Sequence, residues 1–125
     1  MGLDMYFIMK RPDISGDVLM CMNGGFPIGF QSEGKQIGYL RKAYTVNDFL
    51  VELLNVDYDD INCEDLELND IHIKHIMEEI EYRFDNDYFN DDWDEDDWRD
   101  FKEIMLKIKE LSKDPNARFF YTIWY

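Results

Sequence analysis

The chain has 125 residues, with 28 acids against 13 Lys and Arg and a formal net charge of −15. Charge of that sign repels phosphate. It excludes direct binding of nucleic acid or an anionic membrane and favours basic protein surfaces or cations. A hydrophobic content of 46%, of which aromatics make 16% of the chain, excludes a disordered acidic tail and predicts one folded domain over residues 1–125.

In chain order, residues 3–10 carry bulky side chains on both faces, as a buried strand does. Pro12 and Asp13 end it. Residues 17–22 read as a second short strand, hairpin-paired with the first. A glycine-rich loop follows through Gly34. Residues 37–40 form either a short strand or the lead into a helix. A first helix is predicted over residues 41–55 from the helical spacing of Ala43, Val46, Leu50, Leu53 and Leu54. Thr45 and Asp48 have capping-box spacing, which would move its start to that point. Residues 57–70 then read as a loop, with Asp70 as the N-cap of a second helix running to Phe84. Ile73, Ile76, Met77, Ile80 and Phe84 are its buried stripe. A third helix begins inside the acidic run after Asp85 and ends near Ser112, with Trp98, Phe101, Met105, Ile108 and Leu111 as its stripe. Its acidic start and its Lys107, Lys109 and Lys113 end suit the helix dipole. Residues 118–125 are aromatic and β-branched and predict a last strand beside the first. The fold class is therefore α+β: a small antiparallel sheet, made of an N-terminal hairpin and the C-terminal strand, packed with about three helices.

The charge is placed rather than spread. Residues 85–100, DNDYFNDDWDEDDWRD, hold nine acids against Arg99 alone, with Tyr88, Phe89, Trp93 and Trp98 threaded through. Residues 57–70 hold seven more and no base, among them Asp57, Asp59 and Asp60. The two windows net minus eight and minus seven, so everything outside them is neutral.

MGLDMY at the start, GYLRKA at residues 38–43, Asn62-Cys63 and the ending FFYTIWY together resemble a group of small uncharacterised bacteriophage and prophage proteins. That group begins with GLDMY and carries an aromatic just before an Arg-Lys-Ala helix start. The resemblance implies a phage origin and implies no activity. The acid-aromatic run before Phe101 departs from the group's pattern and marks a specialised surface.

Several motif spacings are present. Residues 29–35, GFQSEGK, match a phosphate-binding loop up to Lys35, but Gln36 stands where Ser or Thr would hold magnesium, so a surface turn is expected. Asp92, Asp94, Asp96, Asp100 and Glu103 fall at calcium-loop positions, but Asp97 occupies the obligatory glycine position, so no specific site and no cofactor are expected. His72, His75 and Glu79 share one face of the second helix and read as solvated polar surface. No nucleophile stands with a base at a usable spacing, so the protein is not expected to be an enzyme. Cys21 and Cys63 fit no metal or redox motif; they suit buried thiols, with one disulfide left open. Asp4 interrupts the apolar start, no basic leader precedes it, and no apolar run approaches ~20 residues. Host cytoplasm and no membrane partner are the expectations.

The functional expectation follows from the acids. Carboxylates interleaved with aromatics have the composition of a protein interface, anchors plus steering charge. Carboxylates on a helix and loop can approximate the charge density of duplex DNA, about one charge per 1.7 Å of axis. A basic groove that evolved for nucleic acid would attract them. The expected partner is a basic nucleic-acid-binding host protein such as a defence nuclease, inhibited by stoichiometric binding in an anti-CRISPR or anti-restriction role. The expected contacts are Asp85, Asp87, Tyr88, Asp91, Asp92, Trp93, Asp94, Glu95, Asp96 and Asp97, with Asp57, Asp59 and Asp60 as a second lobe. The alternative is a protein that sequesters a nucleotide or other small anion through Lys35, Arg41 and Lys42. Aromatic surface would equally serve a homo-oligomer.

Overall fold

The computed structural model describes residues 3–11 and 35–125. Its elements are strand β1 (Asp4–Lys10), strand β2 (Lys35–Arg41), helix α1 (Tyr44–Leu54), a single 3-10 turn (Tyr58–Asp60), strand β3 (Leu66–Leu68), helix α2 (Asp70–Asp85), helix α3 (Asp92–Leu111) and strand β4 (Arg118–Trp124). The four strands form one antiparallel sheet in the order β2-β1-β4-β3. This is the α+β fold expected, with the C-terminal strand beside the first. The two most apolar strands, β1 and β4, take the centre, where both edges are paired. Among the described residues, β1 pairs antiparallel with β2 and β4. The strand expected at residues 17–22, the glycine-rich loop and Cys21 lie outside the described residues.

Strand alternation divides the sheet into two faces. Met5, Phe7, Met9, Ile37, Leu40, Phe119, Tyr121 and Ile123 enter the main core with the helices. Tyr6 and Ile8 face the other way and pack with Tyr39, Phe120 and Trp124. Helix α3 is the central helix, touching α1, α2 and β2. It comes so close to β2 that a Cβ on Gly38 would lie 2.7 Å from the Ile104 side chain. Only glycine admits that approach.

The helix boundaries differ from expectation where capping chemistry decides them. α1 begins at Tyr44 with Ala43 as N-cap and no side-chain cap, so the Thr45–Asp48 box does not form. Thr45 is engaged elsewhere, as described below. α2 is capped by Asn69 and not Asp70: Asn69 accepts from the His72 N–H at 2.9 Å, and His72 Nδ1 accepts from the Asn69 N–H at 3.2 Å. His serves here where Glu or Gln usually closes the box. Residues 57–70, expected as a loop, contain the 3-10 turn and the edge strand β3.

Candidate functional site: an acidic, aromatic face around the start of α3

The turn from α2 into α3 places the acid-aromatic run. Asn86 ends α2, and Asp87 takes a left-handed φ of 50°, which Asp and Asn tolerate better than most side chains. That turn lets the Tyr88 N–H donate back to the Arg83 carbonyl at 2.8 Å. Phe89 folds inward against Phe84, with ring centroids 5.0 Å apart. Tyr88 stands outward, 58% exposed. Asp91 caps α3 by accepting from the Asp94 N–H at 2.8 Å, and Asp94 accepts from the Asn90 N–H at 2.9 Å. The two bonds fix the helix start, and Trp93, one residue in, projects into solvent at 82% exposure.

The acids divide by role. Asp94 is buried; its second carboxylate oxygen accepts from the Thr45 hydroxyl, which in turn accepts from the Trp98 indole N–H at 2.9 Å. Asp94 was expected in the contact surface and belongs instead to the framework, because its two carboxylate oxygens at the helix start accept from one backbone N–H and one hydroxyl. Glu95 and Asp96 are held by Arg99 at 2.5 and 2.9 Å. Asp85, Asp87, Asp91, Asp92 and Asp100 are exposed and Asp97 is half-buried. None of these six forms an ion pair among the described residues. Their crowding has a direct electrostatic consequence: partial burial first, then the Asp94, Asp100, Asp96 and Asp91 charges, push the Asp97 carboxyl up to about 6.

The second window is split. Asp65 pairs with Lys10 at 2.7 Å and Glu67 with Arg118 at 2.7 Å, so both are neutralised across the sheet edge. Asp59 and Asp60 stay exposed, and Asp57 caps the 3-10 turn by accepting from the Asp59 N–H at 3.1 Å. Tyr58 is not a free anchor: it stacks on Tyr125 at 4.4 Å.

Helix α1 links the two windows, which the sequence reading did not anticipate. Tyr44, Asp48 and Glu52 recur every fourth residue and form one exposed stripe. At its start Tyr44 shares a shallow hollow with Trp93, Asp91 and Asp97. Further along, burial first, then the Tyr125, Tyr44, Asp48 and Asp59 groups, push the Tyr58 phenol up, so the stripe lies within electrostatic reach of the 3-10 turn. The i, i+4 spacing was the available signal; only the packing of α3 under α1 shows which way the stripe faces.

Between α1 and α2 lies an open groove of about 830 Å³. Asp48, Phe49, Glu52 and Leu53 form one wall and Glu79, Tyr82 and Arg83 the other, with Tyr88 at one end. Arg83 donates to Glu79 at 2.7 Å, and its guanidinium lies 4.0 Å from the Trp98 ring centroid and 5.1 Å from that of Tyr88. Tyr82 is 54% exposed and meets Tyr88 edge-on at 6.0 Å.

The other motif spacings are not gathered into sites. Lys35 opens a strand, where a phosphate-binding loop needs a helix start. Lys35 and Arg41 stand at opposite ends of β2, ~20 Å apart at 3.3 Å per residue, so the alternative anion site does not converge. Lys42 has a φ of 56° and lines the hollow beside Trp93, among acids. The calcium-loop positions 92–103 lie on one continuous helix. His72 is used in the α2 cap and Glu79 by Arg83, and among the described residues no three His, Cys, Asp or Glu side chains are arranged to hold a metal ion. Among the described residues, no helix is long and apolar enough to cross a membrane.

No family model, curated protein or solved structure matches this chain.

Proposed function

We propose that the protein is a phage-encoded inhibitor that binds a basic host protein stoichiometrically, its acidic face standing in for nucleic acid in the groove of a defence nuclease. The observation that carries the reading is the setting of Trp93. A tryptophan 82% exposed stands beside Asp91, Asp92 and Asp97, none of which has an ion pair among the described residues. Exposing a large indole gains a soluble monomer nothing, whereas a ring that becomes buried among steering charges is the usual anchor of an interface. Tyr44 and Tyr88 extend the same composition on either side.

The contact surface on this reading is Asp85, Asp87, Tyr88, Asp91, Asp92, Trp93, Asp97 and Asp100, continued along α1 by Tyr44, Asp48 and Glu52 toward Asp59 and Asp60. Arg99 reduces the share of Glu95 and Asp96. Mimicry makes binding competitive with duplex DNA and sensitive to salt, because the target's basic groove holds either ligand through the same field. The test is displacement of labelled duplex DNA from host nucleases at low and physiological salt. The protein should displace it, more weakly as salt rises, and a triple variant Asp92→Asn, Asp97→Asn, Asp100→Asn should lose at least about tenfold in potency. A triple variant as potent as the parent would overturn the reading.

A further inference from the structure

The groove between α1 and α2 is larger than the shallow hollow beside Trp93 and has two walls, and its charge is unevenly settled. Glu79 is answered by Arg83. Asp48 and Glu52, both exposed on the opposite wall, have no ion pair among the described residues. One groove ring already meets a guanidinium, since Arg83 lies beside Tyr88 as well as over the buried Trp98. Tyr82 and Tyr88 present further ring surface above it, more than half exposed. An unanswered pair of carboxylates facing open aromatic rings complements a cationic side chain.

The spacing narrows the occupant. Asp48 and Glu52 are four residues apart on a helix, ~6 Å along its axis. Side chains on one face of an extended chain recur every ~6.6–6.8 Å. A partner helix would need a continuous apolar channel for anchors at i, i+3/4 and i+7, but here Asp48, Glu52, Glu79 and Arg83 interrupt the apolar surface of Phe49, Leu53 and the tyrosine rings. We propose that this groove receives an extended basic segment of the partner, with Lys or Arg at alternate positions set against Asp48 and Glu52 and a guanidinium stacked on the Tyr82–Tyr88 pair. The proposal rests on the reading of the acidic face as a binder of basic protein, and it names the shape of the segment bound.

The test uses the full chain and three fluorescent peptides of equal length and charge. One has Arg at alternate positions, one has Arg at every fourth position, and one has Lys at alternate positions. Anisotropy titration should give the alternating Arg peptide the tightest binding, about tenfold over the four-spaced isomer. The double variant Asp48→Asn, Glu52→Gln should lose about tenfold, and Tyr82→Leu should erase the preference for Arg over Lys. Glu110→Gln, exposed near the far end of α3, serves as the charge control and should bind as the parent does. Equal binding of the two spacings, or a double variant that binds like the parent, overturns the proposal. Loss confined to Asp92→Asn, Asp100→Asn would overturn the groove and leave the mimicry reading standing. Loss confined to the groove variants, with no competition against duplex DNA, would overturn mimicry and keep the groove.

Discussion

Thr45 and Trp98, 53 residues apart in the chain, meet through a hydrogen bond of 2.9 Å from the indole N–H to the threonine hydroxyl. The hydroxyl in turn donates a hydrogen bond to the buried Asp94 carboxylate. One side chain on α1 thus satisfies two groups of α3 and fixes the helix start that carries Trp93. Thr45→Val keeps the shape and removes the hydroxyl, leaving a buried donor and a buried carboxylate oxygen short of a partner. A loss of about 1–3 kcal/mol is expected, read as a lower urea midpoint at unchanged slope. Thr45→Ser should recover most of it.

Gly38 and Ile104 give a second test, of how tightly α3 lies on the sheet. A Cβ on Gly38 would come within 2.7–3.0 Å of three carbons of the Ile104 side chain. Gly38→Ala should therefore cost about 1–3 kcal/mol by overpacking. Combined with Ile104→Ala, which removes the carbons in the way, the two changes should cost less than their sum, and the double-mutant cycle measures the difference.

The Asp97 carboxyl makes stability depend on pH in a direction opposite to most acids. Its folded value of about 6 lies above the ordinary 3.8, so the folded chain holds the proton more tightly than the unfolded chain. Stability from this group is fully present below the unfolded value and is lost as pH rises between about 4 and about 6. Glu67, lowered mainly by its hydrogen bond from Arg118, works the other way: its contribution is present above the unfolded value and lost as pH falls through the folded one. Asp97→Asn should flatten the decline between pH 4 and 6 in thermal melts, and carbon-detected NMR should show the Asp97 carboxyl titrating near 6. An ordinary carboxylate titration there would show that neither partial burial nor the neighbouring acids act on Asp97.

The field around Trp93 can be measured without a partner. Caesium should quench its fluorescence more than iodide does, and the difference should shrink as added salt screens the surface. Trp93→Phe should remove most of the ion-dependent part and leave a smaller part from the half-buried Trp124, because Trp98 is fully buried. The substitution should move stability by no more than about 0.5 kcal/mol, as expected for a residue that buries little.

Much of the scaffold was legible because it rests on local periodicity. The bulky two-sided run of β1 and the aromatic, β-branched run of β4 read as strands, and the stripes Ile73–Ile76–Ile80 and Trp98–Phe101–Met105–Ile108 name a buried face from spacing alone. Capping was less legible. Asn69 and Asp70 are both good caps, and only the reciprocal bond with His72 selects Asn69. Thr45 had capping-box spacing, yet Asp94 and Trp98 compete for its hydroxyl and win.

By itself the sequence determined the α+β class, the place of the last strand beside the first, and the concentration of negative charge in two windows, since side-chain chemistry and spacing carry all three. Tertiary structure decided which acids face outward. Asp94 turned in to Thr45, Asp65 and Glu67 found bases across the sheet edge, and Tyr44, Asp48 and Glu52 became the link between the windows. Those outcomes depend on which distant groups come within a few ångströms, because hydrogen bonds and ion pairs form at contact range, whatever the distance along the chain.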